Sequence, residues 1–137
     1  MKLDCDYPET SPFDPELEKY IEKGIWKIVK ALNAKGYLTI NSCEGHFLHG
    51  DIPYVTFCIT DPALYSSIYS KLKLPGINIQ LLPSWIQIEN EKERLKELLH
   101  TDKKVWFVYV TFNGLFFPIL KHWFLARIKR LENERFY

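Results

Sequence analysis

Two histidines, a cysteine, a glutamate and an aspartate crowd into the stretch TINSCEGHFLHGD, Thr39 to Asp51. Three chemistries suit such a set. The first is a metal: Cys43, His46, His49 and Asp51 offer thiolate, imidazole and carboxylate donors, all accepted by zinc. The second is a thiol nucleophile, with Cys43 activated by His46. No third, orienting group is evident in the sequence for it. The third is a polar ligand site. Ser42 and the backbone amides around Gly45 would then hold an anion or the edge of a cofactor, and Glu44 or His46 would handle protons. Beside these stands a plain structural reading. Cys43 is then a small buried thiol, Gly45 a turn residue and the histidines loop surface.

The segment ALNAKGYLTINSCEGH, residues 31–46, resembles part of the wybutosine-synthesis tRNA methyltransferase family. There a helix ending in Leu/Ile-Asn leads into a strand and then into a motif of the form T-x-S-C-S-G-R. Leu32, Asn33, Tyr37, Thr39, Ser42, Cys43 and Gly45 match that pattern. The Cys-x-Gly-His form is also similar to that of small bacterial and phage proteins. The resemblance implies a mixed α/β domain with a site at this loop. It further implies S-adenosylmethionine as cofactor and tRNA or a nucleotide-like molecule as substrate. On that reading Ser42, Gly45 and Arg127 bind the cofactor, while Cys43, Glu44 and His46 stand at the reacting centre. Two departures bear on it. Glu44 replaces a serine, and His46 replaces an arginine whose rigid fork grips carboxylate or phosphate.

The elements that must position this loop are legible from hydrophobic period. Asp14 and Pro15 form an N-cap and first-turn pair. Leu17, Ile21, Ile25, Ile28 and Leu32 follow at helical spacing, and Gly36 ends the helix. Residues 37–42 and 53–60 alternate as half-buried strands. The connection between them, 43–53, is longer than the usual hairpin loop of about two to five residues. Asp61-Pro62 opens a second helix, to about Leu72. Residues 77–82 and 85–90 read as strands, 91–100 as a short charged helix, and 104–112 as an apolar central strand. A last helix runs from about Pro118 to Asn133.

That order predicts an α+β fold of mixed α/β layers, with about five strands in a mostly antiparallel sheet and about four helices. Residues 1–13 read as an extended arm and 14–137 as a single domain.

On the last helix Leu120, Phe124, Ile128 and Leu131 share a face, and Arg127 falls inside that stripe. A buried guanidinium needs a partner. Glu44 or a bound anion would serve, unless Arg127 snorkels from the core edge or pairs with a structural acid. On the strands, Tyr37, Thr39, Asn41, Tyr54, Thr56, Asn78, Gln80, Trp85 and Gln87 take the less apolar sides. A face of that mixture suits base stacking or a homodimer contact.

Composition excludes several classes. With 137 residues and a hydrophobic fraction of 47%, the chain can bury a core without staples. A formal net charge of +1 gives no global pull toward nucleic acid or membrane. Three widely spaced cysteines do not read as a disulfide framework. No apolar run is long enough for a membrane helix, and the N-terminus has no signal-peptide pattern. A cytoplasmic protein is the expectation.

Overall fold

A computed structural model describes residues 18–19, 21–46, 50–83 and 106–133. Helix α1, Lys23–Ala34, turns Ile25, Ile28, Val29 and Leu32 into the core. The N-cap pair expected at Asp14 and Pro15 lies outside the described residues, and the helix that follows is not continuous through Glu22. Glu22 is extended, with φ −62° and ψ 138°, so the chain enters the helix only after it. Its end is as expected. Gly36 has φ 91°, and the Tyr37 N–H donates to Leu32 O at 3.0 Å, the closure that glycine permits at a helix C-terminus.

Strands β1 (Thr39–Cys43) and β2 (Tyr54–Ile59) follow, then helix α2 (Leu64–Leu72), strands β3 (Ile77–Pro83) and β4 (Trp106–Phe112), and helix α3 (Phe117–Ile128). The four strands form one sheet in the order β1-β2-β4-β3, and every pairing is antiparallel. The α+β class is as predicted, and β4 is central. Among the described residues there are four strands in the sheet and three α-helices. The arm, the strand at 85–90 and the helix at 91–100 lie outside the described residues.

The alternation of the strands separates two faces. Val55, Phe57 and Ile59 of β2, Val108, Val110 and Phe112 of β4, and Ile77 and Ile79 of β3 pack with all three helices in one core. Phe124 sits at its centre, edge-on to Phe112 with ring centroids 5.1 Å apart. Leu120, Phe124, Ile128 and Leu131 are all buried, as their spacing predicts. Leu38, Ile40, Cys58 and Phe107 make a smaller apolar cluster on the other face.

One break in the alternation matters. Thr39 pairs with Phe57 but Asn41 with Thr56, so Ile40 is an extra residue in β1. Such a bulge rotates the strand. Tyr37 and Thr39 therefore face the helices. Thr39 donates its hydroxyl to Asn33 Oδ1 at 3.0 Å, and Tyr37 donates its own to Glu132 O at 2.7 Å. Asn41 lies on the opposite face, beside Tyr54 and Thr56. The uniform alternation expected of residues 37–42 is corrected at this point. Trp85 and Gln87 lie outside the described residues. No described helix is long and apolar enough to cross a membrane.

Candidate functional site

The loop after β1 is shaped by one glycine and one proline. Gly45 has φ 86°, and a Cβ there would stand 2.8 Å from Pro53 Cδ and Cγ. Only glycine combines that backbone with that clearance. Beyond it, His46 and Asp51 form a backbone bridge: the His46 N–H donates to Asp51 O at 3.1 Å, and the Asp51 N–H returns to His46 O at 3.2 Å. The base of the loop is thus closed, and His46 and Asp51 are held side by side.

Glu22 joins the loop to α1. Its Oε1 accepts the Glu44 N–H at 3.0 Å. In return, Glu44 Oε2 accepts the Gly24 N–H at 2.7 Å. A carboxylate from the loop therefore caps a helix start that has no side-chain cap of its own, where the helix dipole favours negative charge. Lys121 Nζ, over the Phe117 ring, donates to Gly24 O at 3.2 Å and brings α3 to the same point.

Gly24 is what allows this approach. A Cβ there would lie 2.3 Å from Glu44 Oε2 and 2.9 Å from Glu44 Cβ. In an ordinary helix interior Gly→Ala stabilises by about 1 kcal/mol. Here Gly24→Ala is expected to expel the Glu44 carboxylate and to lower stability by about 1–2 kcal/mol. The urea midpoint reads this directly, and an unchanged or raised midpoint would contradict it.

His46 lies between several acceptors. Its Nε2 stands 2.5 Å from Glu22 Oε2. Its Nδ1 stands 3.6 Å from Cys43 Sγ and 3.2 Å from Asp51 Oδ2. The Glu22 hydrogen bond is the main cause raising the His46 pKa above 6.5; burial opposes it, and Asp51 adds to it. With the Nε2 proton directed to Glu22, the Nδ1 lone pair faces the Cys43 sulfur on one side and the Asp51 carboxylate on the other. A neutral Cys43 donates its S–H to that lone pair, and a thiolate there would call for a cation, either a proton or a metal ion.

The spacing suits a metal. Two ligands on a tetrahedral zinc, at about 2.0–2.1 Å for N or O and about 2.3 Å for S, stand roughly 3.3–3.6 Å apart. The separations of 3.6 and 3.2 Å lie close to those edges. Glu22, Cys43 and His46 each offer a donor atom within 4.8 Å of the others. Yet 2.5 Å between Glu22 and Nε2 leaves no room for an ion there, so Glu22 serves as the carboxylate behind the histidine.

Glu22 also supplies the orienting group that a thiol nucleophile would need. Cys43, however, is only 1% exposed, and an electrophile cannot reach it without moving the loop. The other candidates are placed as follows. Ser42 is buried opposite Val55 on the helix side of the sheet. Glu44 caps α1. His49 lies outside the described residues. Arg127 is engaged elsewhere: its Nε donates to Lys71 O at 2.8 Å, and its guanidinium lies 5.0 Å from the Trp123 ring centroid. Glu22 is the residue that sequence reasoning missed. The signal that could have found it is Gly24, a glycine inside a helical run that marks close approach.

Comparison of the chain with protein-family models, with curated proteins and with solved structures gives no match, so the reading of this site rests on its own geometry.

Proposed function

We propose that the protein is a metal-binding module whose loop, from Cys43 to Asp51, holds one zinc ion through Cys43 Sγ, His46 Nδ1 and Asp51 Oδ2. The observation that carries this is that His46 Nδ1 stands at ligand spacing from both Cys43 Sγ and Asp51 Oδ2, with the Glu22 carboxylate set on the far nitrogen of His46. That carboxylate fixes the ring and its tautomer and makes Nδ1 the better ligand. Mixed sulfur, nitrogen and oxygen donors suit zinc better than magnesium or calcium. The burial of Cys43 suits a structural ion that fixes the loop.

We prefer this to a methyl-transfer site for S-adenosylmethionine and an RNA substrate. In that site the loop amides would receive the charged end of the cofactor. Here the Glu44 N–H already donates to Glu22 and the His46 N–H to Asp51.

The test is elemental analysis of protein purified without a histidine tag, followed by cobalt substitution. About one zinc per chain is expected. The cobalt form should show a thiolate-to-metal charge-transfer band that is absent from Cys43→Ser. A protein that carries no zinc and takes none up from excess zinc salt would refute the proposal.

A further inference from the structure

The face of the sheet turned away from the helices holds a pocket of about 390 Å³, lined by Asn41, Tyr54, Thr56, Gln80, Leu82 and Tyr109. That volume lies at the small end of the range for ligand sites, about 300–1,000 Å³. Its lining has a definite chemistry. The Tyr54 and Tyr109 rings stand 5.7 Å apart at 45°, giving the pocket aromatic walls. Leu82 adds an apolar surface. Amide and hydroxyl groups from Asn41, Thr56 and Gln80 supply donors and acceptors. None of the six carries a formal charge near neutral pH, and Tyr109 keeps its proton to higher pH than a free phenol, chiefly because it is desolvated and also because Cys43 lies near.

One atom in this set is unsatisfied. Asn41 Oδ1 is buried and, among the described residues, has no hydrogen-bond partner. An orphaned buried acceptor costs about 1–3 kcal/mol. The bulge at Ile40 is what carries Asn41 to this face, at the expense of regular pairing in β1. An irregular strand that delivers an unpaired acceptor to an aromatic, uncharged pocket is a feature expected of a binding site.

We propose that this pocket binds a neutral planar heterocycle carrying an N–H donor, the chemistry presented by nucleobases and by nicotinamide. The ring lies against Tyr54 and Tyr109, a turn of the Asn41 side chain brings its Oδ1 to the ring N–H, and Gln80 meets its remaining polar edge. An uncharged lining excludes an anionic ring, because burying a charge without a partner is costly. The pocket shares no residue with the proposed zinc ligands, so this proposal stands without the metal reading.

The experiment is calorimetric titration with adenosine, uridine and nicotinamide, with benzoate as a planar anionic control, on zinc-loaded and on metal-stripped protein. At least one neutral compound should saturate, equally in both preparations, while benzoate gives no signal. Nucleosides binding without nicotinamide would identify a nucleobase site, and the reverse a nicotinamide site. Asn41→Leu should weaken binding about tenfold or more while leaving the unfolding midpoint unchanged or raised, since it removes an unpaired acceptor. Gln80→Ala, at an exposed position, is a second variant that should weaken binding without touching the fold. Silence from all three neutral compounds at millimolar concentration would overturn the proposal. So would benzoate binding as tightly, or both variants binding like the wild type.

Discussion

Zinc-loaded protein is expected to gain stability as the pH rises from about 5.5 to about 8, while the metal-stripped protein loses it over the same span. The two slopes have separate causes. Zinc needs a neutral His46 and a Cys43 thiolate, so protons compete with the ion and its hold strengthens as they leave. A ligand present at a thousandfold its dissociation constant adds about 4 kcal/mol. In the stripped protein no metal ion competes with the proton for His46. The Glu22 hydrogen bond raises the folded pKa of His46 above its ordinary 6.5. The fold therefore binds that proton more tightly than the unfolded chain does. The resulting stabilisation is complete below about pH 6.5 and fades as the pH passes the raised value. Urea unfolding at stepped pH, taken as the difference from His46→Asn, isolates this contribution. Cys43→Ser should follow the stripped curve even with zinc added. A zinc-treated wild type that also follows it would show the ligand set to be wrong.

Glu22→Ala should have the largest effect on stability of any substitution around the site. One carboxylate holds two groups, the Glu44 N–H and the His46 ring. Its removal leaves the amide without that acceptor and the imidazole without its orienting partner, and loosens the contact between α1 and the loop. Hydrogen bonds to charged groups contribute about 1.5–3 kcal/mol each. The Glu22 side chain is 26% exposed, so water screens part of this. A net loss of about 2–3 kcal/mol is expected. Zinc affinity should fall about 10–100-fold as well, the usual cost of removing the carboxylate behind a ligating histidine. Glu22→Gln keeps an acceptor for Glu44 but not the charge, and should lose less stability than alanine. Unfolding midpoints and competition with a zinc-binding dye report both effects. A Glu22→Ala protein within about 0.5 kcal/mol of wild type would mean that the clasp contributes nothing.

Much of this was legible before any coordinates. The residues around SCEGH announced themselves by type, and the helical stripe through Leu120, Phe124 and Ile128 gave the core. The central place of β4 followed from its unbroken apolar run. What escaped was non-local or aperiodic. Glu22 lies some twenty residues before the loop, inside a run whose period favoured a continuous helix, and Gly24 beside it is the one local sign of a close approach there. The bulge at Ile40 adds one residue to β1, and strict alternation has no means of anticipating it. It moved Tyr37 and Thr39 to one face and Asn41 to the other. Arg127, expected to be buried and to need a partner such as Glu44 or an anion, is only partly buried. Its partner is the carbonyl of Lys71 at the end of α2, which hydrophobic pattern cannot reveal.

The strand order also governs how the chain reaches this structure. β1 and β2 are consecutive in the chain and pair directly, whereas β2 must wait for the more distant β4, with Val55 opposite Val110. Closing a chain segment of that length costs entropy before any contact repays it, and such pairings set the pace of folding. Cys43, His46 and Asp51 all belong to the hairpin, the part whose contacts are closest in sequence. The three proposed zinc donors can therefore meet before the sheet is complete, so that an ion bound there would act as a nucleus for folding as well as a clamp on the finished loop.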